Sequence, residues 1–215
     1  MDSIFTQPLI LVVDKNNFFR SVVVEKFLSD YIVKRFRKLL SQTYHGMGGW
    51  GGYEPVPIER SFPIVLSAGI AEPESKCNNI TEREFWNEVM EQIFRDFEFD
   101  IEKLKHRKFL IVGKELLEKC TYVYALDTEV HEFLNKHFEL SASKLYLISE
   151  LKQTRFNFED LDEPSKGKIV TPESIKKELD FIKKFCLGRQ NELINEPEYF
   201  ERMRKFKASE IGKLH

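Results

Sequence analysis

The chain is poor in the features that usually classify a protein at a glance. Its three cysteines, Cys77, Cys120 and Cys186, stand far apart in 215 residues without a CxxC pair. That spacing excludes a disulfide framework and a zinc knuckle, and makes a reducing, cytoplasmic setting the expectation. No apolar run approaches the ~18 residues of a membrane span, and Met1 to Pro8 carries Asp2 and no basic cluster, so neither membrane insertion nor export is expected. Charge of one sign is also lacking. Thirty-three Lys and Arg stand against 35 Asp and Glu, a formal charge of -2, so no whole-chain field gathers nucleic acid or anionic lipid. Any anion site has to be local. Glycine is scarce as well: five of the ten glycines fall within the nine positions of HGMGGWGGY, residues 45–53.

What is present is an alternation of short apolar runs and helical patterns. Leu9 to Val13 is continuous and β-branched, as in a strand buried on both faces, and stops at Asp14. From Ser21, residues Val24, Phe27, Leu28, Tyr31, Ile32, Phe36 and Leu39 recur at helical spacing. Residues 41–61, with the glycine cluster, Pro55 and Pro57, read as an inserted loop, in which Trp50 and Tyr53 are candidates to wall a cleft. Pro63 to Leu66 reads as a second strand ending in Ser67-Ala-Gly69. Thr81, with Glu84 three residues on, has capping-box spacing and predicts a helix to about Phe97, with Phe85, Trp86, Val89, Ile93 and Phe94 on its apolar face. Lys114 to Lys119 reads as a short helix, Thr121 to Leu126 as a third strand ending at Asp127, Thr128 to His137 as a helix and Lys144 to Ile148 as a fourth strand. Residues 156–168 form a polar loop containing Asp162-Glu163-Pro164. Thr171-Pro172-Glu173 starts a last long helix, expected to close near Leu187 with Gly188 as its cap.

This order predicts an α/β fold: a four-stranded parallel sheet flanked by helices on both faces, over residues 1–190, with 191–215 as a charged tail or further helix. Ligand sites in such sheets lie beyond the carboxyl ends of the strands, which puts Asp14 to Arg20, Ser67 to Gly69, Asp127 and the 162–164 loop on one edge. A strand-to-helix turn converges backbone N–H groups on one point, the helix dipole adds partial positive charge, and Arg20 supplies a planar fork for oxyanions. Lys15, Asn16, Asn17, Phe18, Phe19, Arg20 and Ser21 are thus a candidate anion-binding loop. An ordinary turn with a surface arginine would show the same local pattern.

The ordered set of segments resembles the low-molecular-weight protein tyrosine phosphatases. Their loop signature, Cys, five residues, Arg, Ser directly after the first strand, reads here as Asp14, KNNFF, Arg20, Ser21. Asn17 falls at the family's loop-bracing Asn, Glu25 at the Glu of its RSxxxE helix start, and Ser67 to Gly69 at its second-strand ending. His106, in DIEKLKHRKFL, falls where the family carries a His near the loop, which makes it the expected brace of Ser21 or Asn17. The resemblance implies a three-layer phosphotyrosine-phosphatase-I-like sandwich, with Asp14 and Arg20 in the nucleophile and phosphate-holding positions and Glu163 or Asp162 near that of the general acid.

The departures from that pattern bear on activity. Asp14 cannot form a cysteinyl phosphate, and its carboxylate repels an incoming phosphate. A carboxylate is, however, a good internal occupant of an anion nest, so Asp14 is expected to accept the loop amides and Arg20. The expectation is a catalytically degenerate binding or regulatory module for a phosphorylated protein or a small oxyanion, without cofactor or metal. One alternative is an altered phosphohydrolase with Asp14 as nucleophile or metal ligand and Glu163 or Asp162 as acid. Another is a receiver-like signalling domain. Against it, only one acid ends the first strand, and the plausible phosphoacceptor, Asp127, lies 113 residues after Asp14 (127 minus 14).

Overall fold

The computed structural model describes residues 9–17, 19–45, 63–71, 80–82, 86–141, 144–148 and 171–193, with side chains left out for 35–45 and 188–193. Phe18, Trp50, Tyr53, Cys77, Asp162 and Glu163 lie outside the described residues, as do 46–61 of the expected insertion and 194–215 of the expected tail.

Four strands, β1 (Leu9–Asp14), β2 (Ile64–Gly69), β3 (Tyr122–Ala125) and β4 (Leu145–Leu147), form one parallel sheet in the order β2-β1-β3-β4. The reason β1 reads as an unbroken apolar run is now visible. Ile10 and Val12 enter the core on one face, Leu11 and Val13 the core on the other, and all four are buried.

The first core is closed by α1 (Arg20–His45), α2 (Glu88–Asp96), α3 (Ile101–His106) and α6 (Pro172–Leu193). Val23, Val24, Phe27, Leu28 and Ile32 of α1 face Ile175, Leu179, Ile182 and Cys186 of α6 within it. On the other face, α4 (Lys114–Lys119) and α5 (Thr128–Phe138) bury Leu117, Val130 and Leu134. The expected four-stranded sheet with helices on both faces is therefore present. Among the described residues no helix is long and apolar enough to cross a membrane.

Several boundaries differ from expectation, each for a local reason. Helix α1 continues to His45, beyond the boundary expected at Ser41. Thr81 lies in a short 3-10 turn, Ile80–Glu82, and does not start α2. The start is set by Asn87, whose side chain accepts from the Met90 N–H at 3.0 Å, with Glu88 and Glu91 favourably placed at the positive end of the dipole. In α2 Met90 and Phe94 are buried, while Val89, expected on the apolar face, is 55 % exposed. Helix α6 passes through Gly188 to Leu193. An interior glycine costs a helix about 1 kcal/mol, which packing of the preceding turns against α1 offsets.

Candidate functional site

At the carboxyl end of β1 the chain turns into a loop with four polar side chains as buried as the core. Asp14, Asn17, Arg20 and Ser21 are all within 2 % of full burial. The Asp14 carboxylate faces inward, where Oδ1 accepts from the Asn17 backbone N–H and Oδ2 from the Ser21 N–H at 3.1 Å. Ser21 opens the first turn of α1, so the carboxylate sits at the positive end of that helix, where a negative charge is stabilised. The expected use of Asp14 as an acceptor for loop amides is met by these two bonds.

The loop bends at Asn17, which adopts the left-handed conformation with φ of 48°. Asn tolerates this region better than most residues, because its short amide can bond locally. Its Oδ1 accepts from Ser67 Oγ at 2.7 Å and Ser21 Oγ at 3.2 Å, while Nδ2 donates to the Leu110 carbonyl at 3.4 Å. Gly69, level with Asp14 across the β1–β2 ladder, lets the loop lie directly on β2. A Cβ there would fall 2.7 Å from the Asn16 carbonyl carbon and the Asn17 nitrogen. The 110–112 segment seals the same edge, with Gly69 N–H donating to Leu110 O and Val112 N–H to Gly69 O, both at 2.8 Å.

Arg20, at the start of α1, points across the sheet end to Asp127, with Nη2 to Oδ2 at 2.9 Å. The other Asp127 oxygen accepts from the Val130 N–H at 2.9 Å and so caps α5. One carboxylate thus ties the guanidinium to a helix start on the opposite face. Lys15 is half-exposed and pairs with Glu129 at 3.1 Å, while Phe19 turns into the core edge-on to Phe94, ring centroids 6.2 Å apart.

The expected role of His106 is corrected. His106 is exposed in the last turn of α3, and the next residue, Arg107, reaches Ser67, a hydrogen-bond partner of Asn17, instead. Arg107 donates through Nη2 to Ser67 Oγ at 2.7 Å and through both terminal nitrogens to the Glu25 carboxylate, Nη1 to Oε1 at 3.1 Å. Its Cα lies just past the helix end, in extended backbone, which is what turns it from solvent toward β2. Sequence reasoning missed Arg107 and the pairing of Arg20 with Asp127, although Glu25, Ser67 and Asp127 had each been placed near the loop. The available signal for Arg107 was the unmatched carboxylate at Glu25.

Solved structures similar to this chain in fold include the YwlE arginine phosphatase of Geobacillus stearothermophilus, at TM-score 0.56 and 14 % identity over 90 % of this chain and 96 % of that one. A low-molecular-weight phosphotyrosine phosphatase of Vibrio cholerae O395 matches at 0.55 and 16 %, over 87 % and 99 %. The tyrosine phosphatase Wzb of Escherichia coli K30, in complex with sulphate, matches at 0.53 and 14 %, over 88 % and 100 %. The fold is that of the low-molecular-weight tyrosine phosphatases. No protein-family model matches this chain, and no curated protein matches it in sequence.

Within this phosphatase fold the loop has the parts of an anion nest, namely a helix start, converging amides and a buried guanidinium. Two carboxylates take up some of those donors, Asp14 in the loop itself and Asp127 from beyond the end of β3. Among the described residues no group of three or more His, Cys, Asp or Glu could hold a metal ion. Glu163 and Asp162, the candidate acids, lie outside the described residues.

Proposed function

We propose that this protein is a catalytically degenerate version of a low-molecular-weight phosphatase, working in the cytoplasm as a binding or regulatory module for a phosphorylated protein or a small oxyanion. The observation that carries the reading is Asp14, buried with its carboxylate on the Asn17 and Ser21 amides, at the place the sequence resemblance implies for the nucleophile. A carboxylate at that place cannot form a thiophosphate and opposes a phosphoryl group coming down onto it. Several of the fold's neighbours are named as phosphatases, and one YwlE mutant structure has a phosphorylated active-site serine. In that neighbour, a Cys-to-Ser mutant, the active-site serine carries phosphate; the turn after β1 of the present chain holds a carboxylate. Recognition at the rim, where Lys15 is half-exposed, remains open to the loop after turnover is lost.

The test is turnover of p-nitrophenyl phosphate by the full chain, with and without Mg²⁺. The expected result is none above background in either condition. Metal-dependent hydrolysis that disappears in Asp14→Asn would sink the proposal and make Asp14 a nucleophile or metal ligand.

A further inference from the structure

We propose that Arg107 is the positioning residue that sets the shape of the Asp14–Ser21 loop, and that its permanent charge makes this shape independent of pH. The inference deepens the proposed function and rests on that reading only for the loop's purpose. The bonding itself is read from a chain of donors running in one direction. Arg107 donates to Ser67 Oγ, Ser67 donates to Asn17 Oδ1, and Ser21 Oγ donates to the same oxygen.

Two donors on Oδ1 leave Asn17 Nδ2 to face the Leu110 carbonyl, so the orientation of the amide is determined. That orientation holds Asn17 in its left-handed turn and aims its N–H at Asp14. A hydroxyl can donate or accept, so Ser67 takes its direction from what faces it. A guanidinium only donates and stays protonated at every working pH, which fixes Ser67 as a donor to Asn17. Glu25, on the second turn of α1, keeps the guanidinium in place from the other side, and the pair is mostly buried, at 28 % and 17 % side-chain exposure.

The groups facing Arg107 are Glu25 from α1 and Ser67 from β2. Its own segment contributes the exposed His106 and Lys108. His106 is present in every variant below, so any effect of its titration also appears in the unmodified protein.

The test is a pH series of amide NMR spectra on the full chain, following the Asn17 and Ser21 N–H signals in the unmodified protein, Arg107→Lys and Arg107→His. Both signals should be flat near neutrality in the first two. In R107H they should move together, with a midpoint at or above the ordinary imidazole value of about 6.5, because Glu25 favours the charged ring. Flat loop signals in R107H while the introduced ring itself titrates would overturn the proposal. If R107H does not fold, Arg107→Gln replaces it: displaced Asn17 and Ser21 signals with unchanged β4 signals support the role, and unmoved loop signals overturn it. None of these readouts depends on turnover, so failure here is distinguishable from failure of the degenerate-phosphatase reading.

Discussion

Replacing Asp14 by Asn removes one charge and almost no volume, and its two effects have opposite signs. The carboxylate accepts two buried N–H groups, from Asn17 and Ser21. An amide in its place keeps one acceptor oxygen and turns an NH₂ toward the second donor. Leaving that N–H unsatisfied costs about 1–3 kcal/mol, which for a chain of this length lowers Tm by roughly 2 to 12 °C. Against this, a phosphate settling about 3.5 Å from the former carboxylate no longer meets a repulsion of about 5 kcal/mol per unit charge at an effective dielectric near 20. That corresponds to roughly three decades in affinity. Asp14→Asn is therefore expected to be less stable than the unmodified chain in chloride and to recover in phosphate. A ligand at about 100 times its Kd adds about 2.7 kcal/mol, or roughly 5 to 10 °C. The assay is thermal melting at matched ionic strength, so that screening of surface charge cancels. Equal phosphate-dependent rises in the two proteins would refute the argument that Asp14 blocks the cradle.

Gly69→Ala should be destabilising by about 1–3 kcal/mol in urea unfolding, because its Cβ would lie 2.7 Å from loop backbone that cannot yield as a side chain would; a neutral result would mean that the loop does not lie on β2. Asn87→Ala should cost about 1 kcal/mol while Thr81→Ala leaves α2 intact, a difference readable from the same unfolding curves, and the reverse order would restore the helix start expected at Thr81. Burial pushes the Cys120 thiol up to about 11 and that of Cys186 further still. Both should resist iodoacetamide at pH 8 until the chain is unfolded, and rapid modification of the native protein would contradict their burial. Both thiols are neutral in the fold, so the Cys120 contribution to stability is complete below the unfolded thiol value of about 8.5. It is lost as pH rises toward about 11, which a fall in Tm across that window would register.

How much could be read in advance depended on how local the cause was. β1 was legible because burial on both faces leaves only apolar residues at Ile10 to Val13. The loop was legible because Asp14, Asn17, Arg20 and Ser21 lie within eight positions, and a strand-turn-helix passage constrains what each can do. Arg107 was not, because its partners Glu25 and Ser67 are 82 and 40 residues away, and a shift of one residue at the end of a six-residue helix decides whether His106 or Arg107 reaches them. The start of α2 went wrong where two cap-like sequences competed. Thr81 and Asn87 both suit the position, and packing of Met90 and Phe94 into the core selected the second. Asp127 had been placed at the right edge, yet its choice of Arg20 as partner is visible only once β1 and β3 are paired.

The packing of α6 on α1 has a consequence for synthesis. Val24 and Cys186 meet across 162 residues of chain, with the Cys186 Sγ 4.0 Å from the Val24 carbonyl. At about 5–20 residues per second the ribosome needs roughly 8 to 32 seconds to cover that separation. For that interval the helix that carries Arg20, Ser21 and Glu25 has Val24, Phe27 and Leu28 without the layer that covers them. The loop at its start is thus translated well before the layer that covers its helix. A nascent chain halted before Pro172 would present an apolar helix face to chaperones, and release of that hold would coincide with emergence of α6.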